Sequence, residues 1–189
     1  MDVIEAIVQR RSIKRFTDTP VEAAVLDRVL SAGLWAQNHH MTQPWRFTVL
    51  GAKTHQALAA ANAEVALASM LNVDESARDK VRAGAEAKML SKPVIVVVSN
   101  VLKGSELDRR EDFAATCCAI QNIQLAAWAE GLGMQWSSNP MTRHERTYTL
   151  LGLSPNTEEI VAFLYFGYPA EVPPAQPRKA LSEVMHRLP

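Results

Sequence analysis

The sequence predicts a single mixed α and β domain, and three observations lead there. Apolar β-branched runs alternate with helix-length stretches in the order helix-helix-strand-helices-strand-helix-strand-helix-strand-tail. No linker or internal repeat divides residues 1–189. The 189 residues are 48% apolar and 21% charged, enough for one core that buries about 70% of the surface of the unfolded chain.

Residues 2–10 read as a short helix with Val3, Ile4, Ile7 and Val8 on one face. A second helix covers 22–36, using Val25, Leu26, Val29, Leu30 and Leu34, after the turn signal Asp18-Thr19-Pro20. A polar segment from Gln37 to Gln43 closes at Pro44, and Trp45 to Leu50 alternates as a strand. Residues 53–90, rich in Ala, Glu, Lys, Leu and Met, predict one or two helices with a break near Asn72-Val73-Asp74. Pro93 introduces Val94 to Val98, a strand covered on both faces. A long helix follows over 107–130, and its middle, Phe113 to Trp128, is apolar on nearly all sides. Such a helix is buried in a core or against a partner subunit.

Gly131 and Gly133 end that helix and lead into a short strand, Met134-Gln135-Trp136. The next helix spans 142–151, with Thr142 as N-cap and Glu145 at capping-box spacing. Ile160 to Phe166 forms a fourth strand, stopped by Gly167-Tyr168-Pro169. The proline-rich stretch from Val172 to Pro177 is extended, and 180–188 fits either strand or helix.

Lys plus Arg equals Asp plus Glu at 20 each, so general polyanion binding is not expected and nucleic acid is a poor partner. The first eleven residues lack the apolar run of a secretory signal, and no stretch is long enough to span a bilayer. Cys117 and Cys118 are adjacent, a spacing that suits neither a disulfide nor a zinc site. They read as small core residues in a reducing cytoplasm.

One local feature stands out: Arg10-Arg11-Ser12-Ile13-Lys14-Arg15, four cations and a hydroxyl just past a short helix. Guanidinium groups match phosphate geometry, but cations also suit a helix C-terminus through its dipole, and both readings stay open. His39-His40 is a weak metal signal, because adjacent histidines on an extended chain point opposite ways. His55, His144 and His186 stand alone, so no metal site is expected. No Gly-x-Gly-x-x-Gly lies between a strand and a helix, and neither a Walker motif nor Gly-x-Ser-x-Gly is present. Cys or Ser nucleophiles find no base at a recognisable spacing.

Four segments in register resemble one family. Arg10-Arg11-Ser12-x-Lys14 looks like an Arg-x-Ser-x-Lys/Arg motif, and Gln43-Pro44-Trp45-Arg46-Phe47 like a Gln-Pro-Trp-x-Phe strand start. Gly131 to Ser138 looks like the segment after a long central helix. Pro177 to Val184 looks like Arg-Lys-Pro-Leu-x-Glu-Val-Val, with Ala180 where proline is usual. Together they resemble the nitroreductase family of flavoproteins. The length, and Asn38-His39-His40 before Gln43-Pro44-Trp45, resemble its smaller, YdjA-like branch.

That resemblance implies an α+β fold with a mixed β-sheet flanked by helices, a long buried central helix and an extended C-terminal tail. It implies a cytoplasmic homodimer holding two non-covalent FMN at the subunit interface. Arg10, Arg11 and Ser12 would hold the FMN phosphate and ribityl chain, with Arg178 as a second cation on the phosphate. Lys14 would lie near N1 and O2 of the isoalloxazine. Trp136, Ser137 and Ser138 would line the ring, while His39, Trp35 and Gln43 would come from the neighbouring subunit. The implied reaction is ping-pong: NADH or NADPH passes hydride to flavin N5, then a nitro, quinone or similar small acceptor is reduced. No side chain need act as acid or base, so no catalytic residue is named. The alternatives are other flavin chemistry on the same fold (dehalogenase, dehydrogenase, flavin-modifying enzyme), a non-enzymatic nucleotide-binding module, or a helical interaction domain.

Overall fold

A computed structural model describes residues 1–68 and 74–189. The helices are α1 (Val3–Gln9), α2 (Ala23–Gly33), α3 (Ala52–Ala68), α4 (Glu75–Leu90), α5 (Glu106–Ala129) and α6 (Glu145–Leu151). The strands are β1 (Trp45–Val49), β2 (Val94–Val101), β3 (Gly133–Ser137) and β4 (Glu158–Gly167). They alternate along the chain in the predicted order. Of the break expected between α3 and α4, Asp74 caps α4 by accepting from Ala77 N at 2.9 Å, while Asn72 and Val73 lie outside the described residues.

The strands form one sheet in the order β1-β2-β4-β3, every neighbouring pair antiparallel. The resemblance implied a mixed sheet; the parallel element among the described residues is a single bridge, Ser12 to Met134, at the outer edge of β3. Side chains alternate across β2 and β4. Val96, Val98, Leu164 and Phe166 pack with Leu26 and Val29 of α2 and Ile120 and Ile123 of α5. Ile95, Val97, Phe163 and Tyr165 pack with Leu58 and Ala61 of α3 and Tyr148 of α6. Helices on both faces explain why the central strands read as unbroken apolar runs, a pattern more common in parallel sheets.

The long helix starts at a capping box, with Ser105 N donating to Asp108 Oδ2 at 2.7 Å and Asp108 N to Ser105 Oγ at 3.3 Å. It ends where Gly131 takes φ +76°, a conformation glycine adopts without Cβ strain. Ala115, Ala119, Ile120, Ile123 and Ala127 are buried, so much of the all-round apolar pattern is satisfied inside this chain. Phe113 and Leu107, nearer its start, stay exposed. No helix among the described residues is long and apolar enough to cross a membrane.

Two local expectations need correction, and a third observation qualifies α1. The helix expected over 142–151 begins at Glu145, capped by His144 Nδ1, which accepts from Arg146 N. Thr142 is not its cap: Asn139 accepts from Met141 N and starts a separate 3-10 turn, Pro140–Arg143, in which the buried Thr142 hydroxyl donates to Asn139 O at 2.9 Å. Residues 180–188 form neither strand nor long helix, only a turn at Leu181–Glu183. Finally, Val3, Ile4, Ile7 and Val8 share a face, but all four are exposed and Ala6 is the residue of α1 that is buried.

One packing constraint positions the segment after α1. Ile13 is fully buried; its N–H donates to Met134 O at 3.0 Å. A Cβ on Gly133 would meet Ile13 Cβ and Cγ1 at 2.7 Å, inside van der Waals contact. Only glycine lets the segment lie this close to β3. Gly133→Ala is therefore expected to destabilise the fold by about 1–3 kcal/mol, the usual cost of overpacking. Urea unfolding checks this, and a midpoint equal to wild type would refute it.

Candidate functional site

From Arg10 to Thr17 the chain runs along the β3 edge, and with Ile13 buried its neighbours Ser12 and Lys14 are exposed. The chain after β4 returns along the same segment: Thr17 N donates to Tyr168 O at 2.9 Å and Ala170 N to Arg15 O at 3.1 Å. Phe16 and Pro169 form an antiparallel bridge, and Arg15 pairs with Glu171. Between the end of α1, this segment and the tail lies a cavity of about 880 Å³. That volume falls in the range of small-molecule and cofactor sites.

Arg10, Arg11, Ser12, Lys14 and Arg178 all line this cavity. Among the described residues the one carboxylate on its wall, Glu171, is already paired with Arg15. Burial, then the nearby charges of Arg178 and Arg11, push the Arg10 pKa below its ordinary value. Arg10 Nε and Arg11 Nε are buried with no hydrogen-bond partner among the described residues. Both readings of the basic cluster have a structural counterpart. Arg11 Nη1 donates to Val8 O, Gln9 O and Arg10 O at 2.8–2.9 Å, complementing the last carbonyls of α1. Among the described residues no free carboxylate on the cavity wall offsets the crowding of cations around Arg10. A dianionic phosphate group in the cavity would offset it, so the residues present fit the phosphate end of FMN.

The other predicted residues lie elsewhere. Trp136 is half-buried on the α2 and α5 side of the sheet. Ser137 Oγ accepts from Asn139 Nδ2 at 3.2 Å, which also donates to Tyr165 Oη at 3.1 Å. Ser138 is exposed, and none of these three lines the cavity. Nor do Trp35, His39 or Gln43, which sit on the loop between α2 and β1. Trp35 is 88% exposed. His39 pairs with Glu111 at 3.0 Å, and Gln43 N donates to Asn38 Oδ1 at 2.9 Å.

This loop is strained: His40, Met41 and Gln43 have φ of 51°, 52° and 44°, a region non-glycine residues seldom occupy. Thr42 Oγ1 donates to the buried Asp112 at 2.5 Å and helps hold the turn. The chain here is not extended but a 3-10 turn, so the His39 and His40 rings do not point opposite ways; their centroids are 3.9 Å apart. Among the described residues no three His, Cys, Asp or Glu side chains gather as a metal site. The basic cluster read from the sequence includes Arg15, but Glu171 and the Pro173–Gln176 wall carry no motif and were not foreseen.

The family model for the nitroreductase family matches residues 7–168. The chain belongs to the nitroreductase family. It is 32% identical over 187 residues to YfhC of Bacillus subtilis, named as a candidate NAD(P)H nitroreductase, covering 95% of this chain and 90% of the relative. It is 30% identical over 169 residues to the similarly named YdjA of Escherichia coli, covering 89% of each. A structure of a candidate nitroreductase from Desulfovibrio desulfuricans, solved with FMN, superposes with a TM-score of 0.77 at 27% identity. It covers 100% of this chain and 98% of that one.

In this nitroreductase-family chain the cations of the cavity should bind inorganic phosphate alone. Phosphate at 100 times its Kd is expected to stabilise the flavin-free protein by about 2.7 kcal/mol. Arg10→Ala and Arg178→Ala should each remove most of that gain. Thermal denaturation across a phosphate titration tests it, and an unmoved wild-type Tm would exclude an anion site here.

Proposed function

We propose that the protein acts as a homodimeric, cytoplasmic reductase, taking electrons from NADH or NADPH and reducing nitro, quinone or similar small acceptors by a two-step, ping-pong reaction. Family membership, with relatives named for NAD(P)H nitroreductase activity and a neighbour solved with FMN, makes it an FMN oxidoreductase with NAD(P)H as donor. The observation that supports the cofactor site best is the convergence of Arg10, Arg11, Lys14 and Arg178 on a cavity with no free carboxylate among the described residues.

FMN, when bound, supplies the two-electron redox chemistry that no side chain offers. The chain's own residues do the rest. Arg10, Arg11 and Arg178 bind the phosphate, and Ser12 adds a neutral donor. Lys14, exposed on the cavity wall, places a positive charge toward the pyrimidine side of the flavin, where reduced flavin carries its negative charge. In this reading Trp136, Ser137 and Ser138 cover one side of the ring. Trp35, His39 and Gln43 are supplied by a second copy, which accounts for their position off this chain's cavity.

Two features support the dimer. The exposed apolar face of α1, with Val3, Ile4, Ile7 and Val8 at 49–66% exposure, borders the cavity through Ile7 and Val8. The tail beyond Glu171 is exposed nearly throughout, with Leu181 at 67% and Leu188 at 89%. Apolar groups in that position suit coverage by a partner. Sedimentation equilibrium is expected to give twice the 20.9 kDa chain mass. A strictly monomeric protein that holds FMN would overturn the shared-site part of the proposal.

The deciding experiment is an absorption spectrum of purified protein, repeated after anaerobic NADH and then NADPH. Flavin bands that bleach with either donor support the reading; a protein that refuses added FMN ends it. Lys14→Ala should lower the flavin midpoint potential and slow reduction more than it weakens FMN binding. Stopped-flow reduction at wild-type rate would remove Lys14 from that role.

A further inference from the structure

Lys92 occupies a position that charge alone makes costly. It follows α4, immediately before Pro93 and β2, and its side chain is buried at 7% exposure. Among the described residues no carboxylate pairs with it. Its Nζ donates to the backbone carbonyl of Lys14 at 2.8 Å. The ammonium also lies 5.4 Å from the Phe16 ring centroid and 5.6 Å from that of Tyr165, within cation–π range of both. Burial, then the charge of Lys88, lowers its pKa from the ordinary lysine value. A buried ammonium without a counter-charge opposes folding, and an apolar chain of similar length would fill the space at less cost.

The contacts of this group are not scattered. Lys14 is on the cavity wall, and Phe16 is two residues further along the same segment. Tyr165, the second ring within cation–π range of the ammonium, accepts from Asn139 through its hydroxyl, and Asn139 also donates to Ser137. One buried cation thus joins the stretches 14–16 and 137–139, which contain Lys14, Ser137 and Ser138, residues that the proposed function sets around the flavin ring.

We infer that Lys92 is a positioning residue for the flavin site, fixing the Lys14 backbone from behind so that the Lys14 charge is presented to the cavity. The inference rests on the proposed flavin site and adds a residue that touches neither cavity nor ligand. Its action runs through Lys14, so its effect must depend on Lys14 being present.

The test measures FMN midpoint potential and FMN affinity in wild type, Lys92→Met, Lys14→Ala and the double variant, with Tm recorded for each. Lys92→Met removes the charge and the donor while keeping the length. It is expected to cut the preference for reduced over oxidised FMN about tenfold, a midpoint about 30 mV lower. Tm should be unchanged or higher, because a buried charge has gone. In the Lys14→Ala background the same substitution should shift the potential by much less, the non-additivity expected of residues that act together. Lys92→Arg, which keeps charge and donor, should restore the greater part of the potential. If Lys92→Met does not fold, Lys92→Gln is read in the same way. A wild-type potential in the Met or Gln variant, or equal shifts with and without Lys14, overturns the inference while leaving the flavin site standing. A wild-type protein that takes up no FMN removes both.

Discussion

The close approach of Ile13 to Gly133 is the contact on which the site depends. It substitutes a packing contact for a full strand pairing: one backbone hydrogen bond to Met134, one parallel bridge, and a fully buried isoleucine where a Cβ would collide. A side chain buried at position 13 obliges positions 12 and 14 to turn away from the core. The serine and the lysine face the cavity for that reason, and the arginines before them are carried to its wall by the end of a seven-residue helix. Phe16 and Thr17 then bond the chain after β4, and this closes the opposite wall.

A bound anion would offset the charge arrangement at the cavity. Among the described residues, four cations around the cavity lack a carboxylate partner, while the fifth, Arg15, is neutralised by Glu171. Surface charge is otherwise balanced along the chain, with 20 basic and 20 acidic residues. A local excess of like charge destabilises the fold that holds it, and desolvated guanidinium nitrogens without acceptors add to the cost. Such costs persist where binding offsets them. Lys92 extends the pattern inward, a further cation held by a carbonyl and two rings instead of an acid.

The sequence revealed the elements well and their contacts poorly. The strands over 94–98 and 160–166 and the helix over 107–130 were legible because burial on all sides leaves continuous apolar runs. Direction was not legible: the same runs suit parallel and antiparallel pairing, and the sheet is antiparallel. The capping-box pattern at Thr142 and Glu145 misplaced a helix start, because Asn139 and Pro140 nucleate a turn just upstream and use Thr142 within it. The basic cluster was legible as chemistry, yet its meaning depended on which carboxylates lie near, and Glu171 is contributed from the far end of the chain. Lys92 carried no signal at all. A lysine before a proline and a strand looks like an exposed loop residue until its neighbours are known.

A ligand phosphate would also act on the fold itself. Arg10 and Arg178 lie at opposite ends of the sequence, and after burial it is the charge of Arg178 that lowers the Arg10 pKa. The tail from Val172 to Gln176 has no regular structure, and what holds it nearby is the short ladder ending at Ala170 and the Arg15–Glu171 pair. An exposed pair of that kind contributes about 1 kcal/mol or less. Without an anion, repulsion between Arg10 and Arg178 works against this modest hold; with one, both guanidinium groups gain the same partner and repulsion becomes a bridge. Binding energy then appears as order in the tail, and any partner subunit that touches the tail would meet it already in place.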